Sequence, residues 1–466
     1  MSIIENILTA TIEGVFDFIK GILFRERPTE YSAEFGTPGS QLQKEPGGFR
    51  IGFQWGNSLL ESNSHMITFG GSGSKKSSCV CFNTLLQSHN SSYVVFDCSG
   101  ELYNGTASHK SRSGYSVYKL DLDDYKQSIG FNWLSKCTSE SDIYKFAQVT
   151  LKNSLEGAPY DYWAQSAENL IGFFAYSLFA YASAEFVNMP NVLNMIQVFS
   201  FAPGKIDQWI AANGNERIIN RYKSIVATPD KTLQSSIATA TNALAVYNNP
   251  NIAAITSRDT LAFDEFRKQK TILYLCGSPS TVQFCRGVSA CFFESFFAHI
   301  LQRLPGTSDL PITFIIDEAA TMRLQSLPKI LELGRKYLIS VATLWQDFGQ
   351  VEHIFGKNEA ANILANSRLK VFMPSGQPLA TCRMLSELLG KYSYEDKNSV
   401  LKTRELLTAQ EIFQLREILL LNGNNKPMLL AAKPYFENKK LKEITELPVY
   451  TIPNPVQLTQ PSFLQF

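Results

Sequence analysis

Ile67-Thr68-Phe69-Gly70-Gly71-Ser72-Gly73-Ser74-Lys75-Lys76-Ser77-Ser78 is a short apolar run, a glycine-rich turn and a Lys-Ser pair opening a helix. That is the layout of a phosphate-binding loop. Backbone N–H groups of such a turn point at phosphates, and the helix N-terminus adds partial positive charge. The lysine reaches the outer phosphates and the hydroxyl holds Mg²⁺. The usual pattern is G-x-x-x-x-G-K-[ST]. Gly70 supplies the first glycine and Lys76-Ser77 the final pair, but Lys75 stands where the second glycine belongs. Glycine accepts backbone angles that cost a residue with a Cβ about 1–2 kcal/mol. Lys75 therefore either distorts the cradle or brings a second cation to the phosphates. Gly70, Gly73, Lys75, Lys76, Ser77 and Ser78 are the candidate nucleotide-binding residues, with Ser77 also on the metal.

Outward from the loop the chain alternates. His65–Phe69 reads as a strand and 76–87 as a helix. Ser92-Tyr-Val-Val-Phe-Asp97 is a strand ending in a carboxylate, and residues 115–120 form a third strand that ends at Asp121. Strands alternating with helices predict a parallel α/β sheet, whose sites lie at the carboxyl ends of its strands. The strand signal disappears from about Ser139 to Asp259, which reads as an inserted all-helical domain. It resumes with Thr271–Cys276, Ile312–Ile316, Leu338–Trp345, Arg368–Met373 and a closing strand at Pro427–Ala432. The expected division is 1–48, amphipathic helix and linker; 49–138 and 262–438, the two parts of a nucleotide-binding domain; 139–261, the inserted domain; and 439–466, a loosely ordered tail.

Ile312-Thr-Phe-Ile-Ile-Asp317-Glu318 ends a buried strand in paired carboxylates. In nucleotide hydrolases the first of such a pair, here Asp317, joins the Mg²⁺ shell. The second, Glu318, orients or activates water. The next strand ends in Gln346, whose amide is placed to sense a γ-phosphate.

The chain has 466 residues and 44% apolar side chains, enough for two or three domains with a large core. Its formal net charge is +1. That excludes a binder of nucleic acid over its whole surface, so any DNA contact must be local. The eight cysteines form no Cys-x-x-Cys and read as buried thiols in a reducing compartment. The histidines show no metal-ligand spacing. Neither a secretory signal nor an apolar stretch of membrane-spanning length appears, and the run Asn169–Ala184 reads as a buried helix. Residues 3–24 place Ile3, Ile7, Ile12, Val15, Ile19 and Leu23 at helical spacing, interrupted by Glu5, Glu13, Asp17 and Lys20. That amphipathic helix packs on the body, on a partner, or in a membrane interface.

The ordered set resembles a known family. The loop, Tyr93-Val-Val-Phe-Asp97-Cys-Ser-Gly100-Glu101-Leu102, Tyr162-Trp163-Ala-Gln-Ser-Ala167, Ile315-Ile-Asp317-Glu318, Gly334-Arg335-Lys-Tyr, Leu344-Trp-Gln346, Ile363-Leu-Ala-Asn366-Ser and Ser386-Glu-Leu-Leu-Gly390 look like the coupling ATPases of type IV secretion and bacterial conjugation, the TraG/TraD-like group. The likeness covers residues 66 to 435. It implies a RecA-like P-loop motor, hexameric, using ATP and Mg²⁺. Its members deliver relaxase-bound single-stranded DNA or protein substrates to secretion-channel proteins. It implies a cytoplasmic location, at the inner face of the inner membrane. On it, Glu318, Arg335 and Gln346 are catalytic, with Arg335 matching the arginine finger that reaches a neighbouring subunit's nucleotide. Lys75 departs from the pattern, as does Cys98-Ser99 where Pro-Lys is common. Two alternatives stay open: a nucleotide-binding docking protein without hydrolysis, favoured if Lys75 disables the loop, and a RecA-like DNA translocase outside secretion.

Overall fold

The computed structural model describes residues 64–466 except 156, 158, 375, 376 and 396–399, together with 32–37, 42, 48–53 and 56–59. The amphipathic helix expected at 3–24 lies outside the described residues.

The largest sheet has nine strands: β1 (Met66–Phe69), β2 (Ser92–Asp97), β3 (Ser116–Asp121), β4 (Thr271–Cys276), β5 (Ile312–Ile316), β6 (Ile339–Trp345), β7 (Leu369–Phe372), β8 (Ile418–Asn422) and β9 (Met428–Leu430). Their order is β9-β8-β7-β1-β6-β5-β2-β4-β3. From β7 to β3 every pairing is parallel. Only β8 and β9 run antiparallel to their neighbours. This is the mostly parallel α/β sheet expected. Every residue of β2, β4, β5 and β6 is buried, as strands covered on both faces require.

Alternation along each strand sends side chains into two cores. Val94, Phe96, Leu273, Leu275, Phe314 and Val341 face one cluster with helices Glu140–Ser154, Tyr162–Tyr181 and Arg286–Ile300. Tyr93, Val95, Ile272, Tyr274, Ala342 and Leu344 face the other, with Cys79, Leu85, Leu102 and Ala107. Between 140 and 256 the regular structure of the described residues is helical, with no strand. Local signals set the starts: Ser139 and Asp142 form a capping box, and the Asp161 and Asn188 side chains accept from Ala164 N and Asn191 N. Of the apolar run at 169–184, Leu170–Ala175, Ser177 and Leu178 are buried within the helix Tyr162–Tyr181, and 182–184 lie beyond its end. No helix among the described residues is long and apolar enough to cross a membrane. All eight cysteines are free, and only Cys98 is less than fully buried.

Three features differ from expectation. Strand β8 was not anticipated. Ile418-Leu-Leu-Leu-Asn422 is a five-residue apolar run that periodicity alone cannot distinguish from a helix end. Two short hairpins were also missed, Arg50–Phe53 with Gly56–Leu59 and Lys391–Glu395 with Leu401–Glu405. The tail is not loosely ordered. Lys439–Thr445 is a helix, and the Tyr103 hydroxyl donates to Tyr450 O at 2.7 Å. Asn191 donates to Ser462 O at 3.0 Å and accepts from Leu464 N at 2.8 Å, while Asn194 donates to Leu464 O at 3.1 Å. The partners that order this Pro/Gln-bearing segment lie over 250 residues upstream, so its composition does not reveal them.

Candidate functional site

Strand β1 leads straight into the glycine-rich turn. Gly70 N donates to Trp345 O and Met373 N to Phe69 O, fastening the turn's start to the ends of β6 and β7. A Cβ on Gly70 would lie 2.5 Å from Ser74 Oγ and 2.7 Å from Met373 Cβ, so this position needs glycine for space. Gly73 is needed for another reason. Its φ is +75°, and a Cβ there would meet no atom within 4 Å.

Lys75 has φ +66°, the left-handed conformation that explains why the common pattern has glycine here. Its ammonium lies 3.8 Å from Glu437 Oε1 and 5.6 Å from the centre of the Phe436 ring. Lys76 is buried, and its ammonium donates to the carbonyls of Gly70 and Gly71. The two adjacent lysines thus do different things: one folds into the turn, the other reaches out to the C-terminal segment. The helix that follows opens with a π turn, Ser77–Cys81, in which Phe82 N donates to Ser77 O. Such turns are rare and concentrate at functional sites. Ser78 lies in that turn, and its carbonyl accepts from Asn83 Nδ2 at 3.1 Å.

Ser77 Oγ donates to Asp317 Oδ2 at 2.6 Å, across 240 residues of sequence. The tertiary structure therefore joins the loop hydroxyl to the first of the paired carboxylates. Glu318 has φ +59°, a strained conformation for a residue with a Cβ. It turns away from the strand, and its Oε1 accepts from Gln346 Nε2 at 3.1 Å. Gln346 is held in turn, because its N–H donates to Gln350 Oε1 at 2.9 Å. Four predicted residues, Ser77, Asp317, Glu318 and Gln346, are thereby brought together at the carboxyl ends of β1, β5 and β6.

Asp97, which the sequence marks only as the carboxylate ending a strand, belongs to the same group. Its Oδ2 accepts from Tyr103 N at 2.8 Å, and its side chain is 1% exposed. Burial pushes this carboxyl up to about 6, assisted by the neighbouring Asp317 charge. Asp317 is itself raised, chiefly by loss of water, while the Ser77 hydroxyl works against that shift. The signal available in sequence is its place at the end of the run Tyr93-Val-Val-Phe96. Cys98 follows it, and its Sγ donates to Asp317 O at 3.3 Å.

Ser77 Oγ and Asp317 Oδ2 are hard oxygen donors side by side, the kind Mg²⁺ accepts alongside water and phosphate oxygens. Among the described residues no group of three or more His, Cys, Asp or Glu could hold a metal alone.

Arg335 is the predicted residue that stands apart. It is exposed on the 3-10 turn Gly334–Tyr337, just before β6. Gln346 lies just past the other end of β6, roughly 20 Å away for a seven-residue strand. Arg335 is therefore at the opposite edge of the sheet from its own phosphate loop. Gly334 has no room for a side chain, since a Cβ would lie 2.7 Å from His65 Cε1.

Residues 19–456 match the family model for type IV secretory system conjugative DNA transfer. The chain is 20% identical to the VirD4 protein of Agrobacterium fabrum over 466 aligned residues, which cover 88% of this chain and 65% of the relative. It is 22% identical to a probable conjugal transfer protein TraG of Sinorhizobium fredii, covering 83% and 64%. It thus spans just under two thirds of the length of these relatives. Among solved structures, the plasmid coupling protein TrwB with the non-hydrolysable GTP analogue GDPNP superposes with a TM-score of 0.68 at 16% identity, covering 88% of this chain and 96% of that one. TrwB with ADP and Mg²⁺ gives 0.67 at 16% identity, covering 94% and 98%. At that identity the likeness is one of fold. With the family match running through nearly its whole length, the chain belongs to the type IV secretory system conjugative DNA transfer family.

Proposed function

We propose that this chain is an ATP-driven coupling motor. It passes DNA, single-stranded or relaxase-bound, or protein substrates into a type IV secretion channel, and works as a homo-hexamer at the cytoplasmic face of the inner membrane. The observation that carries the reading is the contact of Ser77 with Asp317, beside that of Glu318 with Gln346. A phosphate loop, a metal-side carboxylate, a water-side carboxylate and an amide converge on one strand edge. The family's description, conjugative DNA transfer, supports DNA as the substrate, and TrwB's nucleotide complexes support ATP with Mg²⁺ as the cofactors.

In this reading Lys76 leaves the carbonyls of Gly70 and Gly71 to meet the outer phosphates. Ser77 and Asp317 would hold Mg²⁺, which when bound offsets phosphate charge. Glu318 accepts the proton of the attacking water, and Gln346 orients Glu318 and reports the γ-phosphate. Arg335, too far from its own loop, serves the neighbouring subunit's nucleotide. The nucleotide-binding domain comprises 49–138 and 262–438, with 139–261 inserted as a helical domain, 1–48 as a peripheral membrane or partner contact, and 439–466 as a strap.

Glu318→Gln tests the reading. It is expected to leave nucleotide binding largely intact and abolish turnover, because shape and polarity stay while the proton acceptor goes. Turnover at the parent rate would sink it. The strained Lys75 favours a second reading, in which the chain binds nucleotide and docks substrates without hydrolysis.

A further inference from the structure

A second cationic feature lies away from the phosphate loop. Helix Glu140–Ser154 supplies one wall, and the turn Ala319–Thr321, which follows Glu318, with Arg323 beyond it, supplies the other. Between them is a cleft of about 600 Å³ whose lining includes Lys152, Arg286, Arg323, His353, Tyr160 and Thr321. The Lys152 ammonium lies 4.9 Å from the centre of the Tyr160 ring. Burial holds Lys152 below the usual lysine range, and the Arg323 charge adds to the effect. Two like charges thus face one space. The nearby carboxylate is Glu168, which accepts from the Tyr160 hydroxyl.

The two walls are joined at one residue. Asn153, 4% exposed, accepts from Arg323 N at 2.8 Å through Oδ1 and donates to Arg323 O at 3.1 Å through Nδ2. Thr321 N donates to Glu318 O at 3.1 Å. The cleft therefore shares a wall with the turn that carries the water-side carboxylate. Two and three residues beyond Tyr160, Tyr162 and Trp163 are 64% and 41% exposed, with ring centres 5.5 Å apart. Cations that track a backbone, next to aromatic faces on which bases stack, are how proteins hold single-stranded nucleic acid.

The geometry points to a phosphodiester site for single-stranded DNA in this cleft, with Tyr162 and Trp163 as the stacking surface and Asn153 as the positioning residue that couples occupancy to the catalytic turn. The choice of DNA over another polyanion rests on the motor reading. It also explains how a chain of net charge +1 contacts DNA, since the cations are gathered locally.

The test uses the full chain, a fluorescein-labelled oligothymidylate and ATP. Binding is read by anisotropy across a salt series, and turnover with and without oligonucleotide. A Lys152→Gln/Arg323→Gln double variant is expected to bind roughly tenfold more weakly, with a log–log salt slope shallower by about 1.4. Its turnover without oligonucleotide is expected to be unchanged, and stimulation by oligonucleotide lost. Trp163→Ala is expected to weaken binding roughly 5- to 150-fold without changing the slope. Asn153→Ala is expected to keep the affinity and lose the stimulation, and stimulation retained there removes Asn153 from the path. Equal affinity and slope in the double variant and the parent overturn the assignment. So does competition by polyglutamate as effective as that by oligonucleotide, with Trp163→Ala silent, which would indicate an acidic protein. If no sample turns over ATP while the double variant still loses oligonucleotide binding, the motor reading fails and the cleft assignment stands.

Discussion

Lys75 Nζ lies 3.8 Å from Glu437 Oε1, so the lysine that replaces a loop glycine is turned toward the C-terminal segment rather than the phosphate cradle. Both side chains are about half exposed, and such pairs contribute about 0–1 kcal/mol. The left-handed backbone at Lys75 costs about 1–2 kcal/mol, which is the larger effect. Lys75→Gly is therefore expected to keep or tighten ATP binding, by up to roughly tenfold where nucleotide tightens the turn. Calorimetry with ATP and Mg²⁺ checks this. Binding weakened tenfold would make Lys75 a phosphate ligand and remove the main support for the docking reading.

The buried Asp97 carboxyl gives a pH signature. Its folded pKa of about 6 lies above the unfolded value near 4, so between those pH values the folded chain holds more of the proton. Stability from this group is present at pH 4 and is lost as pH rises through 6. The loss is on the order of 2–3 kcal/mol. Asp97→Asn keeps an acceptor for Tyr103 N and abolishes that loss. It is expected to be more stable than the parent at pH 7 and no more stable at pH 4. Denaturant unfolding at the two pH values tests it, and a variant less stable at pH 7 would show that the charge is compensated in the fold.

Arg335→Ala is expected to lower turnover by 10³-fold or more while leaving nucleotide affinity near that of the parent, because a finger acts on transition-state charge. Arg335 is exposed at the end of β6 remote from its own loop, and the proposed reading gives it a target on a neighbouring chain. Mixing it with a Glu318→Gln chain should then restore part of the turnover, since some interfaces combine an intact Arg335 with an intact Glu318. No rescue across the mixing series would reassign Arg335 to its own subunit.

Gly334→Ala is expected to destabilise the chain by about 1–3 kcal/mol, because the added Cβ meets His65 Cε1 at 2.7 Å in a packed site. His65 has little freedom to yield: its ring is buried and its Nδ1 accepts from Val341 N at 3.2 Å. A matched His65→Ala/Gly334→Ala pair should recover part of the loss. Thermal unfolding of the two single variants and the double variant decides it, with additivity of the single effects as the contrary result.

Local chemistry determined a good deal of this protein before any folding is considered. Predominantly apolar runs such as Ser92–Asp97 and Ile339–Trp345 are buried on both faces as central parallel strands, and residues at their carboxyl ends fall on one edge. The glycine turn and the Asp317-Glu318 pair are legible for the same reason, because backbone freedom and terminal carboxylates are properties of a few neighbouring residues. Tertiary structure decided what no neighbourhood contains. Ser77 meets Asp317 across 240 residues, and Lys75 turns to Glu437 while Lys76 folds into the loop, two lysines that are alike in sequence. Asp97 acquires its raised pKa from burial beside another carboxylate, and the tail acquires its order from Asn191 and Asn194. Apart from the turn of Lys76 into its own loop, each of these is a pairing of groups far apart in the chain. Only the crossing order of the sheet and the packing of the helices on it bring those groups within hydrogen-bonding or Coulombic range.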